Sequence, residues 1–549
     1  MREHGPEFTR RQLLTAGATA GLVVAGGIGS AAALSRHPAS TGELLRSAAR
    51  LPAPYALPLP IPPTLSRVSS DGSDRYDIVQ RVADAEILPG MRTRLWTFGG
   101  SFPGPTIESR RGRSVQVRVR NELPVPTAVH LHGGRTPAAS DGYPTDLILP
   151  QGWPQEPPPA STREITPSDT HAHAHGMSGE AMPAPMHDPR ADVQVGSRAY
   201  EYPLEQRATM LWYHDHRMDF TGPAVWRGLA GMHLIRDDVE DSLPLPRGGH
   251  ELPLMICDRS FDADGELRYP SLDPALRSRP GVEPAFAAGV LGDVVLVNGA
   301  PWPVHEADAA RYRLRMLNAS NARHYEVEAV DEQGRRLPLV QVGSDQGLLS
   351  HPVQLQTVPL APAERYDLIL DLTRARIGSR VRLRNRLGAG RTRDIMAFDI
   401  ARRVRDESAI PRALDPDVPH WSRSEATVTR EFAFRAGGTG HGRGWVIGGK
   451  PFDPARTDVT TSLGSVEIWR FIADVHHPVH LHLAGFRILT RGGRPPLAHD
   501  GGLKDTVSLR PGESTEVITC FDGYRGRYLF HCHNVEHEDM GMMANLEVV

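Results

Sequence analysis

The sequence predicts an all-β protein made of three consecutive, similar Greek-key barrels or sandwiches. Three observations carry this. The 549 residues are enough for about three domains at ~150 residues each. Gly (53) and Pro (48) together approach a fifth of the chain, which favours a turn-rich β protein. A half-buried alternating strand recurs three times, as Ser114-Val-Gln-Val-Arg-Val-Arg-Asn121, Arg311-Tyr-Arg-Leu-Arg-Met-Leu-Asn318 and Ser465-Val-Glu-Ile-Trp-Arg-Phe-Ile472.

Each copy follows a similar turn: Gly99-Gly-Ser-Phe-Pro103, Asn298-Gly-Ala-Pro-Trp302 and Gly448-Gly-Lys-Pro-Phe452. A later pair, Leu360-Ala-Pro-Ala-Glu364 and Leu509-Arg-Pro-Gly-Glu513, also leads into strands. The units are expected at residues 60–240, 245–405 and 420–549, with Asp237–Gly249 and Arg403–Ser422 as linkers. No long amphipathic helix is expected.

The chain opens with an address. Thr9-Arg10-Arg11 precedes an uncharged run from Leu13 to Leu34 that ends in Ala31-Ala-Ala33. A basic start, an apolar middle and small residues at the end describe an export signal over residues 1–35. The paired arginines favour the twin-arginine route, hence an extracellular or cell-envelope location; a retained membrane anchor is the alternative. Nothing later could cross a bilayer, so no membrane association is expected once the signal is removed. With Lys+Arg 62 and Asp+Glu 65, the net charge of −3 argues against a nucleic-acid partner or a polybasic membrane binder. Only Lys450 and Lys504 are lysines, which reads as genome-level composition without functional content. Three cysteines cannot build a disulfide framework, and Cys257 and Cys520 are expected as two buried free thiols rather than a pair.

Histidine is the informative residue. Chance at this frequency gives about one His-x-His, yet the chain holds six. Four lie in apolar, strand-like contexts: His130/His132, His214/His216, His480/His482 and His531/His533. In a strand, i and i+2 share a face, so each pair presents two imidazoles to one place. Eight imidazoles suffice for three metal ions.

The C-terminal run is the most specific. Between His531 and His533, Cys532 points to the opposite face, which puts its sulfur in a second site joined to the first by backbone. His537 and Met542 follow at five-residue intervals. One Cys, two His and a weak axial Met form the blue-copper electron-transfer set. His477, opposite in parity to His480/His482, can supply the second imidazole. Met540 and Met543 crowd Met542, so any of the three can instead be core packing.

Together, His130-Leu-His-Gly133, Trp212-Tyr-His-Asp-His216, His477-Pro-Val-His-Leu-His482 and the run from His531 to Met542 resemble the four copper motifs of multicopper oxidases, in that family's order and spacing. The likeness is to the bacterial spore-coat laccase, bilirubin oxidase and phenoxazinone synthase branch. It implies three cupredoxin domains, four copper ions and O2 as electron acceptor. Type 1 copper would take His477, Cys532 and His537 with Met542 axial. Type 2 would take His130 and His480. The type 3 pair would take His132, His214, His216, His482, His531 and His533. Asp141 and Glu538 match family acids that supply protons to the cluster.

Between Pro157 and Tyr200 lies an apparent insertion with His171-Ala-His-Ala-His-Gly-Met177, Met182, Met186 and His187. His and Met suit Cu(II) and Cu(I), so it fits copper delivery, Cu(I) oxidation or a place at the substrate entrance; an unselected low-complexity loop is equally compatible. The leading function is oxidation of phenols or aminophenols by a monomer. A metallo-oxidase acting on Cu(I) is the second reading, and a copper-storage protein without turnover the third.

Overall fold

In the computed structural model, which describes residues 41–70, 72–154, 188–439 and 442–549, three pairs of β-sheets follow one another along the chain. The leader (1–35) and the His/Met-rich run from His171 to His187 lie outside the described residues.

The same wiring recurs in each pair. One sheet holds a parallel couple formed by the unit's first long strand and the repeated strand: Ser73–Ala85 with Ser114–Asn121, Glu251–Arg259 with Arg311–Asn318, and Val428–Thr439 with Val466–Ala473. The other sheet holds a second parallel couple: Gly104–Arg110 with Ala230–Arg236, Val304–Asp308 with Asp394–Arg402, and Val459–Thr461 with Met543–Val548. Parallel neighbours cannot be joined by a hairpin, so the chain crosses between sheets, as in a Greek key. Apolar cores lie around Tyr213 in the first unit, Leu314 in the second and Trp469 in the third, the middle one continuous with Leu95, Met210, Trp212 and Met232 of the first unit.

Three expectations need correction. The third repeat begins at Val466 because Ser465 is the end of a turn, its N–H donating to the Ser462 carbonyl. The middle repeat is buried on both faces, not half-buried. Its Arg313 and Arg315 enter an ion network with Glu240, Glu251 and Asp367, with contacts of 2.5–2.9 Å. Glu240 comes from the supposed linker Asp237–Gly249. That segment forms the helix Asp238–Ser242, capped by the Asp237 carboxylate accepting from the Glu240 N–H. Among the described residues, no helix is long and apolar enough to cross a membrane.

Candidate metal centre

The four His-x-His pairs sit on two two-strand ladders. Val129–His132 pairs antiparallel with Thr209–Asp215, with His130 opposite His214. His477–Leu481 pairs with Gly526–Cys532, with His480 opposite His531. The first ladder belongs to the first unit and the second to the third, and they meet ring to ring. His130 stacks on His482 at 3.9 Å between centroids, and His132 on His480 at 3.6 Å. Every one of the eight imidazoles is buried.

They sort into triads whose ligand atoms all lie within 4.8 Å of one another: His130, His132 and His480; His132, His214 and His533; and His216, His482 and His531. Five of the rings are held by one nitrogen and offer the other. Nδ1 of His130 donates to the Asp141 carbonyl (2.6 Å), that of His214 to the Asp215 carbonyl (2.8 Å) and that of His480 to the Asp505 carbonyl (2.9 Å). Nδ1 of His482 donates to Asp141 Oδ2 at 2.7 Å. Their Nε2 atoms are buried without a hydrogen-bond partner. His132 is turned round: Nε2 is bonded outward and Nδ1 is left over. Burial holds these rings well below the usual imidazole pKa, hence neutral. Neutral imidazoles with convergent free lone pairs are what a metal requires, and leaving them unsatisfied in a dry interior is costly. Copper fits this cage.

Cys532 points away from the cluster, as strand parity requires. Its sulfur lies 3.4 Å from Nδ1 of His477 and 3.6 Å from Nδ1 of His537, and the two nitrogens are 3.2 Å apart. Burial pushes the Cys532 thiol up, so a thiolate there needs a cation beside it. The outer nitrogens are fixed: Nε2 of His477 donates to Asp474 Oδ1 (2.8 Å), and Nε2 of His537 to the Ala288 carbonyl (3.1 Å). Trp445 stacks on the His537 ring at 3.6 Å. Of the three crowded methionines, Met542 is the one bonded to both neighbours. Its N–H donates to the His537 carbonyl and its carbonyl accepts from the Cys532 N–H. Met543 faces Tyr143, Phe452 and Leu529 instead.

The short helix Val535–Asp539 closes the site, and four consecutive ionisable residues on it are buried. Glu536 reaches the middle unit, accepting from Tyr269, Asn321 and the Val290 N–H. His537 reaches Cys532. Glu538 faces the cluster, 3.1 Å from Nδ1 of His531 and 3.4 Å from Nδ1 of His216. Asp539 accepts from the N–H groups of Thr221 and Gly222, free amides at the start of the helix Thr221–Arg227.

The two acids beside the cluster are tuned in opposite directions. Burial pushes Asp141 up to about 7. Glu538 is also raised by burial, but His216, His531 and His533 more than offset this and hold it well below the usual carboxylate range.

All twelve residues singled out as copper ligands, with Asp141 and Glu538, are thus brought into these two adjoining sites. Sequence reasoning missed Asp474 and Asp505, which orient His477 and the pair His132/His480; Asp474 could have been found three residues before His477. Cys257 and Cys520 are both free, but Cys520 is only partly buried, because it ends its strand at a surface groove.

Models of multicopper oxidases match residues 81–158 and 419–549. A laccase of Bacillus stratosphericus is 34% identical, covering 89% of this chain and 98% of that protein. Bilirubin oxidase of Albifimbria verrucaria is 30% identical, over 92% and 83%. Among solved structures, a multicopper oxidase from Pediococcus acidilactici superposes with a TM-score of 0.74 at 27% identity, covering 92% of this chain and 93% of that one. The chain belongs to the multicopper oxidase family, copper-dependent oxidoreductases that use oxygen.

Proposed function

We propose that this protein is an exported laccase-type oxidase that binds four coppers and couples one-electron oxidation of small phenols or aminophenols to four-electron reduction of O2 to water. One observation carries this reading. A single strand end holds Cys532 in the His477/His537 site while its neighbours His533 and His531 reach into different triads of the cluster. A storage protein has no use for such a covalent link between a one-electron site and a multi-histidine cage.

Copper, when bound, would supply one-electron redox chemistry at the Cys532 site and a multi-electron donor to O2 at the histidine cage. The residues do the rest. Asp474 and the Ala288 carbonyl fix the two imidazoles beside Cys532. Met542, tied through its main chain to Cys532 and His537, would offer its thioether as a soft, weak ligand. The main chain from Cys532 to His531 and His533 is the shortest connection between the sites. Asp141 and Glu538 stand where protons must be delivered, one held near neutrality and one held ionised. Burial of all eight imidazoles keeps bulk water away.

A second reading, oxidation of Cu(I), rests on the His and Met residues between His171 and Met186. The deciding experiment is a donor screen of the copper-loaded protein with O2 uptake and peroxide measured together. Phenols or aminophenols should give the highest kcat/KM, with four electrons consumed per O2 and no peroxide. A Cu(I) preference would move the assignment to the second reading, and peroxide as product would remove water as the end point.

A further inference from the structure

The middle unit supplies none of the twelve copper ligands, yet one of its arginines reaches the cluster's edge. Arg365 is fully buried. Its guanidinium grips Asp505 with two hydrogen bonds, NH1 to Oδ1 at 2.6 Å and NH2 to Oδ2 at 2.5 Å. Asp505 then serves two cluster histidines at once. Its Oδ1 accepts from Nε2 of His132 at 3.1 Å, and its main-chain carbonyl accepts from Nδ1 of His480 at 2.9 Å.

This grip is built, not incidental. Asp345 of the middle unit accepts from the Arg365 N–H (2.8 Å) through Oδ1 and from the N–H groups of Asp505 and Thr506 (3.2 Å each) through Oδ2. Lys504, also fully buried, lies 3.2 Å from Asp345 and 3.3 Å from Glu364. It is one of two lysines beside sixty arginines. Read from sequence as mere composition, it is a pin between the middle and third units: a single ammonium placed where two carboxylates converge. On the other side, Gly133 is needed for clearance. A Cβ there would come within 2.5 Å of the Arg365 guanidinium and 2.6 Å of Asp505, and its φ of +80° favours glycine in any case.

We infer that Arg365 and Asp505 are positioning residues through which the middle unit sets the geometry of the histidine cluster. The reason is the turned ring of His132. Where His130, His214, His480 and His482 are bonded through Nδ1 and offer Nε2, His132 is bonded through Nε2 and offers Nδ1, which requires the proton on Nε2 and an acceptor fixed to receive it. Asp505 is the charged acceptor, with the Thr506 hydroxyl, itself donating to Asp505 Oδ1, also 3.1 Å from Nε2 of His132; the carbonyl of Asp505 sets the opposite tautomer on His480, whose ring stacks on His132. A freely rotating carboxylate would let the His132 ring turn over. The planar, two-pronged guanidinium removes that freedom; a lysine ammonium holds charge but not orientation.

This inference rests on the copper assignment proposed above. The test uses copper-loaded protein carrying Arg365→Lys or Asp505→Asn. In Asp505→Asn, the remaining oxygen can still take His132 and Arg365 NH1, but an amide NH2 in place of Oδ2 faces the donors Arg365 NH2 and Gln346 Nε2, so the two-pronged grip is broken. Copper per chain, the blue absorbance, the type 2 electron paramagnetic resonance signal and KM for O2 are measured. Both variants should keep the blue absorbance, because Cys532, His477 and His537 are untouched. The type 2 signal should fall by half or more relative to type 1, or change its hyperfine splitting, and KM for O2 should rise several-fold with a smaller change in kcat. The inference is overturned if both variants retain the wild-type type 2 signal and KM for O2. It is also overturned if blue absorbance and type 2 signal vanish together, since that marks loss of the fold. A wild type without a type 2 signal would instead sink the copper assignment itself.

Discussion

Asp141 and His482 are joined across the boundary between the first and third units, the Asp141 carboxylate accepting from Nδ1 of His482 at 2.7 Å. The same residue's carbonyl holds His130. Asp141 therefore both orients the cluster and carries a carboxyl pushed up to about 7 by burial, where it exchanges protons readily at neutral pH. Gly142, at φ +78°, leaves room for this; a Cβ there would collide with the Val129 carbonyl.

Asp141→Asn separates the two roles. The amide oxygen still accepts from His482, so copper content and the blue colour should be retained. Proton delivery is lost, and reoxidation of the reduced protein by O2 should slow by about 100-fold, within the usual range for removing a general acid. Stopped-flow reoxidation at the wild-type rate would leave Asp141 a purely orienting residue. Anaerobic reduction by a phenol should be unaffected.

Cys532→Ser tests the other site. A hydroxyl is a hard, weakly acidic ligand and cannot replace a thiolate for an ion that must visit Cu(I). Copper should fall from four to three ions per chain, with loss of the blue colour and of donor oxidation. Type 2 and type 3 signals should persist, because His531 is held by strand pairing with His477–Leu481 and Met543–Val548 and the His533 N–H donates to the Pro478 carbonyl. A variant that stays blue would refute the assignment of Cys532.

Much of this site was legible because strand parity is a hard rule. Three-residue spacing from His480 placed His477 on the Cys532 side, and alternation placed Cys532 opposite His531 and His533. Parity could not say that His531 and His533, on one face, belong to different triads. That depends on where the first unit's ladder docks, a long-range fact. A solvated carboxylate is the alternative reading of Glu538 in sequence; its burial arises because the helix Val535–Asp539 is enclosed by contacts to all three units. Lys504 was misread for the same reason. Its partners Asp345 and Glu364 are more than a hundred residues away, and no local pattern announces them.

Met542→Leu or Met542→Phe should raise the type 1 potential while keeping the colour. A thioether donates weakly to the oxidised ion, and losing it favours Cu(I). The main-chain bonds of Met542 to Cys532 and His537 do not depend on its side chain, so the backbone of the site should hold. Redox titration decides between residues: a rise in Met540→Leu with none in Met542→Leu would shift the axial role to Met540.

The ion network between the first and middle units sets an acid limit on stability. Glu251 is raised by burial, but Arg315, Arg313 and Arg236 more than offset this and hold it down to about 2. A carboxylate depressed in the folded state stabilises it above its unfolded pKa of about 4.3, and that contribution fades as pH falls toward 2. The shift corresponds to roughly 3 kcal/mol. Glu251→Gln should therefore be less stable than wild type by about that amount at pH 7, and the difference should shrink between pH 4.5 and 2.5. Denaturant titrations of both proteins across this range provide the check; a difference independent of pH would mean that Glu251 acts through packing alone.

The His/Met-rich segment offers the sharpest separation of the two functional readings. Its C-terminal flank is anchored: Asp188 accepts from Thr145 at 2.5 Å and pairs with Arg527 at 2.8 Å. A deletion must therefore stop short of it. Removing residues 160–186 takes out three histidines and three methionines and none of the twelve proposed ligands. Loop-closure entropy changes slowly with length, so such a deletion should cost little stability. The shortened protein should fold, turn blue and oxidise small phenols near the wild-type rate. If soft ligands in the segment capture copper, Cu(I) oxidation and copper uptake at limiting supply should both fall several-fold. Unchanged Cu(I) kinetics would remove the support for a metallo-oxidase. Loss of phenol oxidation with four coppers still bound would place the segment at the donor site.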